Sequence, residues 1–124
     1  MEPSHLAFAW IWLLAGLFSG TILGLFFHGE SWLGGYGSWR RRMLRLGHVA
    51  FLGTGLLNLG FLLSLEPAGL GEAPRLPAAC LVLGAVTMPL LCFLSAWRRV
   101  FRHFFFVPVL SLILGTGGFI FRML

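Results

Sequence analysis

Four long stretches without a charged side chain divide this chain and limit what it can fold into. They run over Leu6–Phe27, Leu46–Leu65, Leu76–Trp97 and Phe104–Phe121. Each is close to the roughly 20 residues that an α-helix needs to cross the hydrocarbon core of a bilayer. The apolar runs are continuous, whereas the strands of a membrane β-barrel alternate apolar and polar residues over about 10 positions. The sequence therefore predicts an all-α, polytopic membrane protein with four transmembrane helices.

Composition supports this class. The chain has 124 residues, of which 58% are hydrophobic and 10% charged, against about 45–50% and about 25% in a soluble domain. No internal repeat is visible, and residues 1–124 are predicted to form a single four-helix up-down domain. The residues before Leu6 contain no Lys or Arg, and the first apolar run exceeds the roughly 7–15 residues of a signal-peptide core. We therefore expect the first segment to remain as a helix.

The positive charges give the predicted helices a direction. All nine basic residues are arginines, and seven of them fall in two clusters, one before the second helix and one between the third and fourth. With an even number of helices both clusters lie on the same side, and the positive-inside rule places that side in the cytoplasm. We expect a multi-pass protein of the bacterial inner membrane with both termini outside. Arginines that flank apolar segments predict membrane lipids, and no nucleic acid, as partners.

Aromatic residues accompany the arginines of the first connection. Trp and Tyr rings favour the headgroup layer, where an apolar ring and a polar N–H or O–H are both satisfied. The same residue types are enriched at protein interfaces. A lipid-facing or partner-facing surface is therefore predicted from Trp32, Tyr36, Trp39, Arg40, Arg41, Arg42, Arg98 and Arg99.

Small and polar residues predict the faces on which the helices pack. In lipid, small side chains that let two backbones approach mark helix–helix contacts. Asn58 lies deep in the hydrocarbon, and Thr87 or Ser111 is its expected hydrogen-bond partner. The predicted packing residues are Gly16, Gly20, Gly24, Gly55, Asn58, Thr87 and Gly115.

Three of the four histidines carry the candidate cofactor chemistry. His28, His48 and His103 lie at the predicted cytoplasmic ends of helices, where they could converge as haem or metal ligands. His48 is the strongest candidate, because Gly47 and Gly55 beside it would leave room for a flat group. The simpler interpretation is that each is an ordinary histidine at the membrane surface. The apolar segments hold no carboxylate, and no catalytic constellation is recognisable, so an enzyme is not predicted.

Two resemblances add to this interpretation. With Trp32–Arg42, Arg45–His48 and Gly84–Pro89, the chain resembles a group of short bacterial four-helix membrane proteins, a likeness that brings no activity with it. Gly47-His48, followed by Gly53 and Gly55, is faintly similar to the haem-ligating helices of haem–copper oxidase subunits. The second likeness implies a histidine-bound haem.

Three functions are compatible with these features. The first is an accessory or assembly subunit of a larger membrane complex, plausibly a respiratory one, bound to a membrane-protein partner or to further copies of itself. The second is a haem-b-binding electron-transfer protein that uses His48 with His103 or His28. The third is an oligomeric small-molecule transporter, although it would lack the intramembrane acidic residue that proton coupling normally needs.

Overall fold

A computed structural model describes residues 2–124 as a helical protein with no strand in that range. The four α-helices are α1 (Pro3–Phe27), α2 (Trp39–Ser64), α3 (Arg75–Trp97) and α4 (Phe106–Met123). Short 3-10 helices cover Trp32–Gly34 and Arg99–Phe104. All four helical segments, the last counted from Arg99, are long and apolar enough to cross a membrane.

The second helix begins earlier than the apolar pattern predicts. It starts at Trp39, where the Ser38 hydroxyl caps it by accepting a hydrogen bond from the Arg41 backbone N–H at 3.3 Å. Such a cap satisfies one of the backbone donors that a helix start leaves open. The arginines from Arg40 to Arg45 therefore lie in the first two turns of α2 and not in a loop. This corrects the predicted start at Leu46, because charged residues end an apolar run without ending a helix.

Consecutive helices pack against one another, and α2 and α3 form the centre. The extensive contacts are those of α1 with α2, α2 with α3, and α3 with α4. Single side chains link the non-consecutive helices: Trp12 of α1 donates to the Ala85 carbonyl of α3 at 2.8 Å, and the Phe61 ring of α2 meets that of Phe119 of α4 at 4.9 Å. Hence α1 packs on α2 and also touches α3, while α4 packs on α3 and also touches α2.

The interior is small and the outer surface is apolar. A compact core joins α2, α3 and α4 at one end of the helices, formed by Phe61, Leu62, Leu65, Leu81 and Phe119. Large apolar side chains such as Trp10, Leu17 and Phe18 of α1 are more than half exposed. Exposed apolar surface on this scale is unusual for a soluble monomer and is compatible with a bundle of membrane-spanning helices.

The arginine clusters lie at one end of the bundle. The Trp39 indole N–H donates to the Ser95 carbonyl at 2.7 Å, which joins the start of α2 to the end of α3. The arginines near Trp39 and those after Trp97 are therefore neighbours. We call this end the arginine-rich end.

Candidate functional site

A fully buried polar contact lies between α1 and α2, toward the end of the bundle opposite the arginine-rich end. His5 is 8% exposed and Asn58 is fully buried, and His5 Nε2 lies 2.8 Å from Asn58 Oδ1. The Asn58 amide donates to the Thr54 and Leu81 carbonyls. Because both amide hydrogens are used, Oδ1 is the acceptor and His5 Nε2 is the donor. The expected partners Thr87 and Ser111 are replaced by His5, which the sequence interpretation left outside the first helix.

His48 also joins α1 to α2. Its Nδ1 lies 2.8 Å from the Gly16 carbonyl oxygen and 3.2 Å from the Ser19 hydroxyl. A carbonyl only accepts, so Nδ1 carries the proton. A methyl group on Gly20 would lie 2.4 Å from His48 Cε1. The imidazole therefore fills the space that the missing side chain of Gly20 leaves on α1.

The expected room for a flat cofactor near His48 is filled by protein. A methyl group on Gly47 would lie 2.8 Å from the Phe93 ring, and one on Gly55 would lie 3.0 Å from Leu13. His28 and His103 are exposed, His103 on the 3-10 helix before α4. Among residues 2–124, no three His, Cys, Asp or Glu side chains come together at metal-binding distance. The space beside Gly47 and Gly55 is therefore occupied by Phe93 and Leu13 in this structure.

Arg41 is not a surface residue. It is 1% exposed, and its guanidinium donates to the carbonyls of Phe27 at 2.9 Å and Gly29 at 2.8 Å. It also lies 4.9 Å from the centre of the Phe27 ring. These carbonyls lie at and just beyond the end of α1, where a helix presents partial negative charge. Arg41 therefore caps α1, which corrects its predicted place on a lipid or partner surface.

The other predicted surface residues lie on or near the arginine-rich end. Arg40, Arg42, Arg98 and Arg99 are exposed, as is Tyr36, whereas Trp32 and Trp39 are partly buried. Several guanidinium groups stack on aromatic rings, with Arg45 at 4.1 Å from the Tyr36 ring centre and Arg99 at 5.0 Å from that of Trp39. Cation–π contacts of this kind add roughly 0.5–1 kcal/mol each at exposed sites.

The remaining predicted packing residues divide into two groups. A methyl group on Gly115 would lie 2.9 Å from Leu81, and one on Gly16 would lie 2.6 Å from Leu52, so both glycines sit at tight helix contacts. Thr87 bonds within its own helix, to the Leu83 carbonyl. Gly24 has no atom within 4 Å of such a methyl group. Gly24 lies eight residues after Gly16, which on an α-helix turns it about 80° away from Gly16 and off the contact face. Its predicted packing role is therefore wrong.

A groove that the sequence interpretation missed runs between α2 and α4. It consists of two adjoining cavities of about 440 and 250 Å³, and Leu57 lines both. Met88, Cys92 and Leu81 of α3 form its floor between α2 and α4. Its α2 wall contains a set of residues at intervals of three and four, Ala50, Gly53, Leu57, Gly60 and Ser64, of which all but Leu57 are small. The larger Leu46, Val49, Leu56 and Phe61 of α2 line it as well. We call this feature the α2–α4 groove. The 3-4 spacing was visible in the sequence, but which face of α2 stays open depends on where α4 packs.

Comparison with known proteins gives no guide to the function of these features. No protein-family model, curated protein or solved structure matches the chain.

Proposed function

We propose that this chain is an accessory or assembly subunit of a larger membrane complex, and that a helix of its partner docks in the α2–α4 groove. The complex would lie in the bacterial inner membrane, with the arginine-rich end in the cytoplasm and both termini outside. The partner would be a polytopic membrane protein that offers one apolar helix.

One observation carries the proposal: two glycines with open space around them, Gly53 and Gly60, lie in the same groove, whereas Gly24 and Gly117, which are also open, lie outside it. A methyl group on Gly53 or Gly60 would meet no atom within 4 Å, whereas Gly16, Gly20 and Gly47 each face a side chain of another helix. Glycine inside a helix costs about 1 kcal/mol relative to alanine. In this chain the inward glycines permit close helix contacts, and Gly53 and Gly60 offer the same contact to a helix from outside.

The spacing of the groove residues suits a partner helix. Apolar positions three and four residues apart form the seam of a left-handed helix pair, and small residues on that seam let the backbones approach closely. Ala50, Gly53, Leu57, Gly60 and Ser64 follow this spacing over the membrane-spanning part of α2.

The polar side chains of the interior support a structural role. His5, Asn58, His48 and Trp12 are all engaged in contacts between helices of the chain. Arg41 is engaged in the same way at the arginine-rich end. These five side chains therefore hold the bundle together, which favours the outer surface as the place where function is expected.

Co-purification from native membranes in a mild detergent tests the proposal. A Cβ atom at Gly53 or Gly60 meets no atom within 4 Å, both glycines are exposed, and leucine favours the helix, so we expect Gly53→Leu and Gly60→Leu to fold with their side chains in the groove. We expect the partner found with the wild-type protein to be lost, by about tenfold or more, from the double variant. Mass spectrometry identifies the partner, and a second copy of this chain would appear as a dimer.

Gly24→Leu and Gly117→Leu are the matched controls, since these exposed glycines also have open space around them but lie outside the groove. They should retain the partner. Equal recovery from groove and control variants would rule out docking in the groove, and a wild-type protein that purifies alone from every detergent would contradict the accessory role.

A further inference from the structure

A cavity of about 600 Å³ lies between α1 and α3, at the end of the bundle opposite the arginine-rich end. The two helices are joined by single contacts, such as the hydrogen bond from the Trp12 indole to the Ala85 carbonyl at 2.8 Å. The cavity lies between that contact and the starts of the two helices. Its volume is within the roughly 300–1,000 Å³ of sites that hold a small molecule. We call it the α1–α3 cavity.

The lining of the α1–α3 cavity is polar at one end and apolar along the rest. Its polar residues, Glu2, Ser4 and His5, all lie at the start of α1. The apolar residues that line it are Phe8 of α1 and Ala78, Ala79, Val82, Leu83 and Val86 of α3. The eight steps from the first to the last of the α3 residues cover about 12 Å of helix. The cavity therefore suits a ligand with a polar head at the end of the bundle and an apolar chain along α3.

His5 places a free hydrogen-bond acceptor in the polar part of the cavity. Its Nε2 N–H donates to Asn58, so Nδ1 of the neutral ring carries a lone pair. Within residues 2–124 the structure gives Nδ1 no hydrogen-bond partner. The side-chain atoms of that range that are both sealed and unpartnered are Arg41 Nε and Ser95 Oγ, so Nδ1 is open. Since His5 is only 8% exposed and lines the cavity, the cavity is where Nδ1 can receive a donor.

The charge at the polar end disfavours an anionic ligand. Glu2 brings a carboxylate to the lining, whereas no arginine of residues 2–124 lines the cavity. Arg75, at the start of α3, is exposed and lies outside the lining. A carboxylate and an imidazole lone pair both accept hydrogen bonds. They therefore favour a neutral head with hydroxyl donors over a phosphate or a fatty-acid carboxylate.

We propose that the α1–α3 cavity binds an acylglycerol, a neutral lipid whose hydroxyl groups donate to His5 Nδ1 and to the Glu2 carboxylate while its acyl chain lies along α3. Residues three apart at a helix start lie on the same side, so the two acceptors suit the adjacent hydroxyls of a glycerol head. This inference does not depend on the α2–α4 groove, because the two features share no residue.

The full-length protein in a neutral maltoside detergent provides the test. Monooleoylglycerol is titrated, and the bound lipid is counted by native mass spectrometry. Methyl oleate is the matched ligand, since it has the same chain and a head that only accepts hydrogen bonds. We expect saturable binding of monooleoylglycerol and at least about tenfold weaker binding of methyl oleate, the size of one or two hydrogen bonds. Equal binding of the two lipids, or no binding of monooleoylglycerol, overturns the proposal.

Two alanine positions test whether the lipid lies in the cavity. Ala79 is exposed and lines the cavity, so Ala79→Phe should fold and occupy the space of the acyl chain. Ala7 is exposed on α1 and lies outside the lining, which makes Ala7→Phe the matched control. We expect binding of monooleoylglycerol to fall about tenfold or more in Ala79→Phe and less than about twofold in Ala7→Phe. Equal binding by the two variants contradicts the location.

A pair of carboxylates tests the polar end. Glu2→Ala should weaken binding of monooleoylglycerol about tenfold, the size of one hydrogen bond to a charged group. Glu72→Ala removes the same charge from an exposed residue near the start of α3 that does not line the cavity, and it should leave binding within about twofold. Equal losses in the two variants would show an effect of charge alone and contradict the proposal.

Nitrogen NMR of histidine-labelled protein tests the contact with His5. Replacing His5 would also break its hydrogen bond to Asn58, so the ring is observed unchanged and its signals are assigned with variants of the other three histidines. We expect the Nδ1 signal of His5 to move when monooleoylglycerol binds and to stay in place with methyl oleate. Binding of monooleoylglycerol without a change at Nδ1 would remove His5 from the site and overturn the proposal.

Discussion

His5 Nε2 lies 2.8 Å from Asn58 Oδ1, and this contact ties the first turn of α1 to the last two turns of α2. The Asn58 amide group extends the link to α3 through the Leu81 carbonyl. One buried side chain thereby connects three of the four helices. At the other end of the bundle, His48 and Arg41 join α1 to α2 in a similar way.

Asn58→Ala should destabilise the protein by about 1–2 kcal/mol. An interhelical hydrogen bond in a membrane averages only about 0.6 kcal/mol, but the variant also leaves the buried His5 N–H without an acceptor. The free energy of unfolding in a denaturing-detergent titration measures the effect. Thr21→Ala is the control, because the Thr21 hydroxyl is exposed and bonds only to the Leu17 carbonyl of its own helix. Equal effects of the two changes would refute the role given to Asn58.

Gly20→Ala and Gly24→Ala should have opposite effects although they lie one turn apart on α1. A methyl group on Gly20 would clash with the His48 ring, so the imidazole must leave its position on the Gly16 carbonyl or the helices must separate, and stability should fall by about 1–3 kcal/mol. A methyl group on Gly24 meets nothing within 4 Å, and the better helix propensity of alanine should add up to about 1 kcal/mol. The same titration compares them, and a Gly20→Ala protein as stable as Gly24→Ala would contradict the position of His48.

Arg41→Met should destabilise the protein by about 2–3 kcal/mol. It removes the charged donor that satisfies the Phe27 and Gly29 carbonyls, and hydrogen bonds to charged groups are worth about 1.5–3 kcal/mol. The neighbouring Arg42 is exposed, so Arg42→Met should cost less than about 0.5 kcal/mol. Thermal unfolding in detergent measures both. Similar melting temperatures for the two variants would place Arg41 at the surface after all.

Reporter fusions test the proposed orientation. A reporter that is active only in the cytoplasm should work when inserted near Gly37 or Val100, next to the arginine clusters, and should fail at either terminus or near Gly71. An active cytoplasmic reporter at the N-terminus would reverse the orientation.

The helices could be predicted from the sequence because long stretches without a charged residue mark them. Four apolar stretches gave four helices, and the structure contains four helices able to span a membrane. The helix starts were harder. Pro3 at the first position of α1 and Ser38 as the cap of α2 are recognisable start signals, but they lie outside the apolar runs that defined the prediction.

The pairing of polar side chains could not be predicted in the same way. Glycines and polar residues mark the inner faces of helices, yet the partner of each depends on how far one helix slides along the next. Asn58 meets His5 because α1 begins before Leu6, and His48 meets Gly16 and Gly20 because the contact face of α1 turns away before Gly24. The α2–α4 groove is likewise a consequence of packing, since α4 packs mainly on α3 and leaves Gly53 and Gly60 of α2 exposed.

Site-directed photo-crosslinking in living cells tests the central claim, which is that a partner helix occupies the α2–α4 groove. A photoreactive residue is placed at Gly53, Gly60, Gly24 or Gly117, all of which have open space around them. We predict one crosslinked membrane protein from Gly53 and Gly60 that is absent from Gly24 and Gly117. Crosslinks to lipid alone at Gly53 and Gly60, or the same protein from all four positions, would contradict the claim.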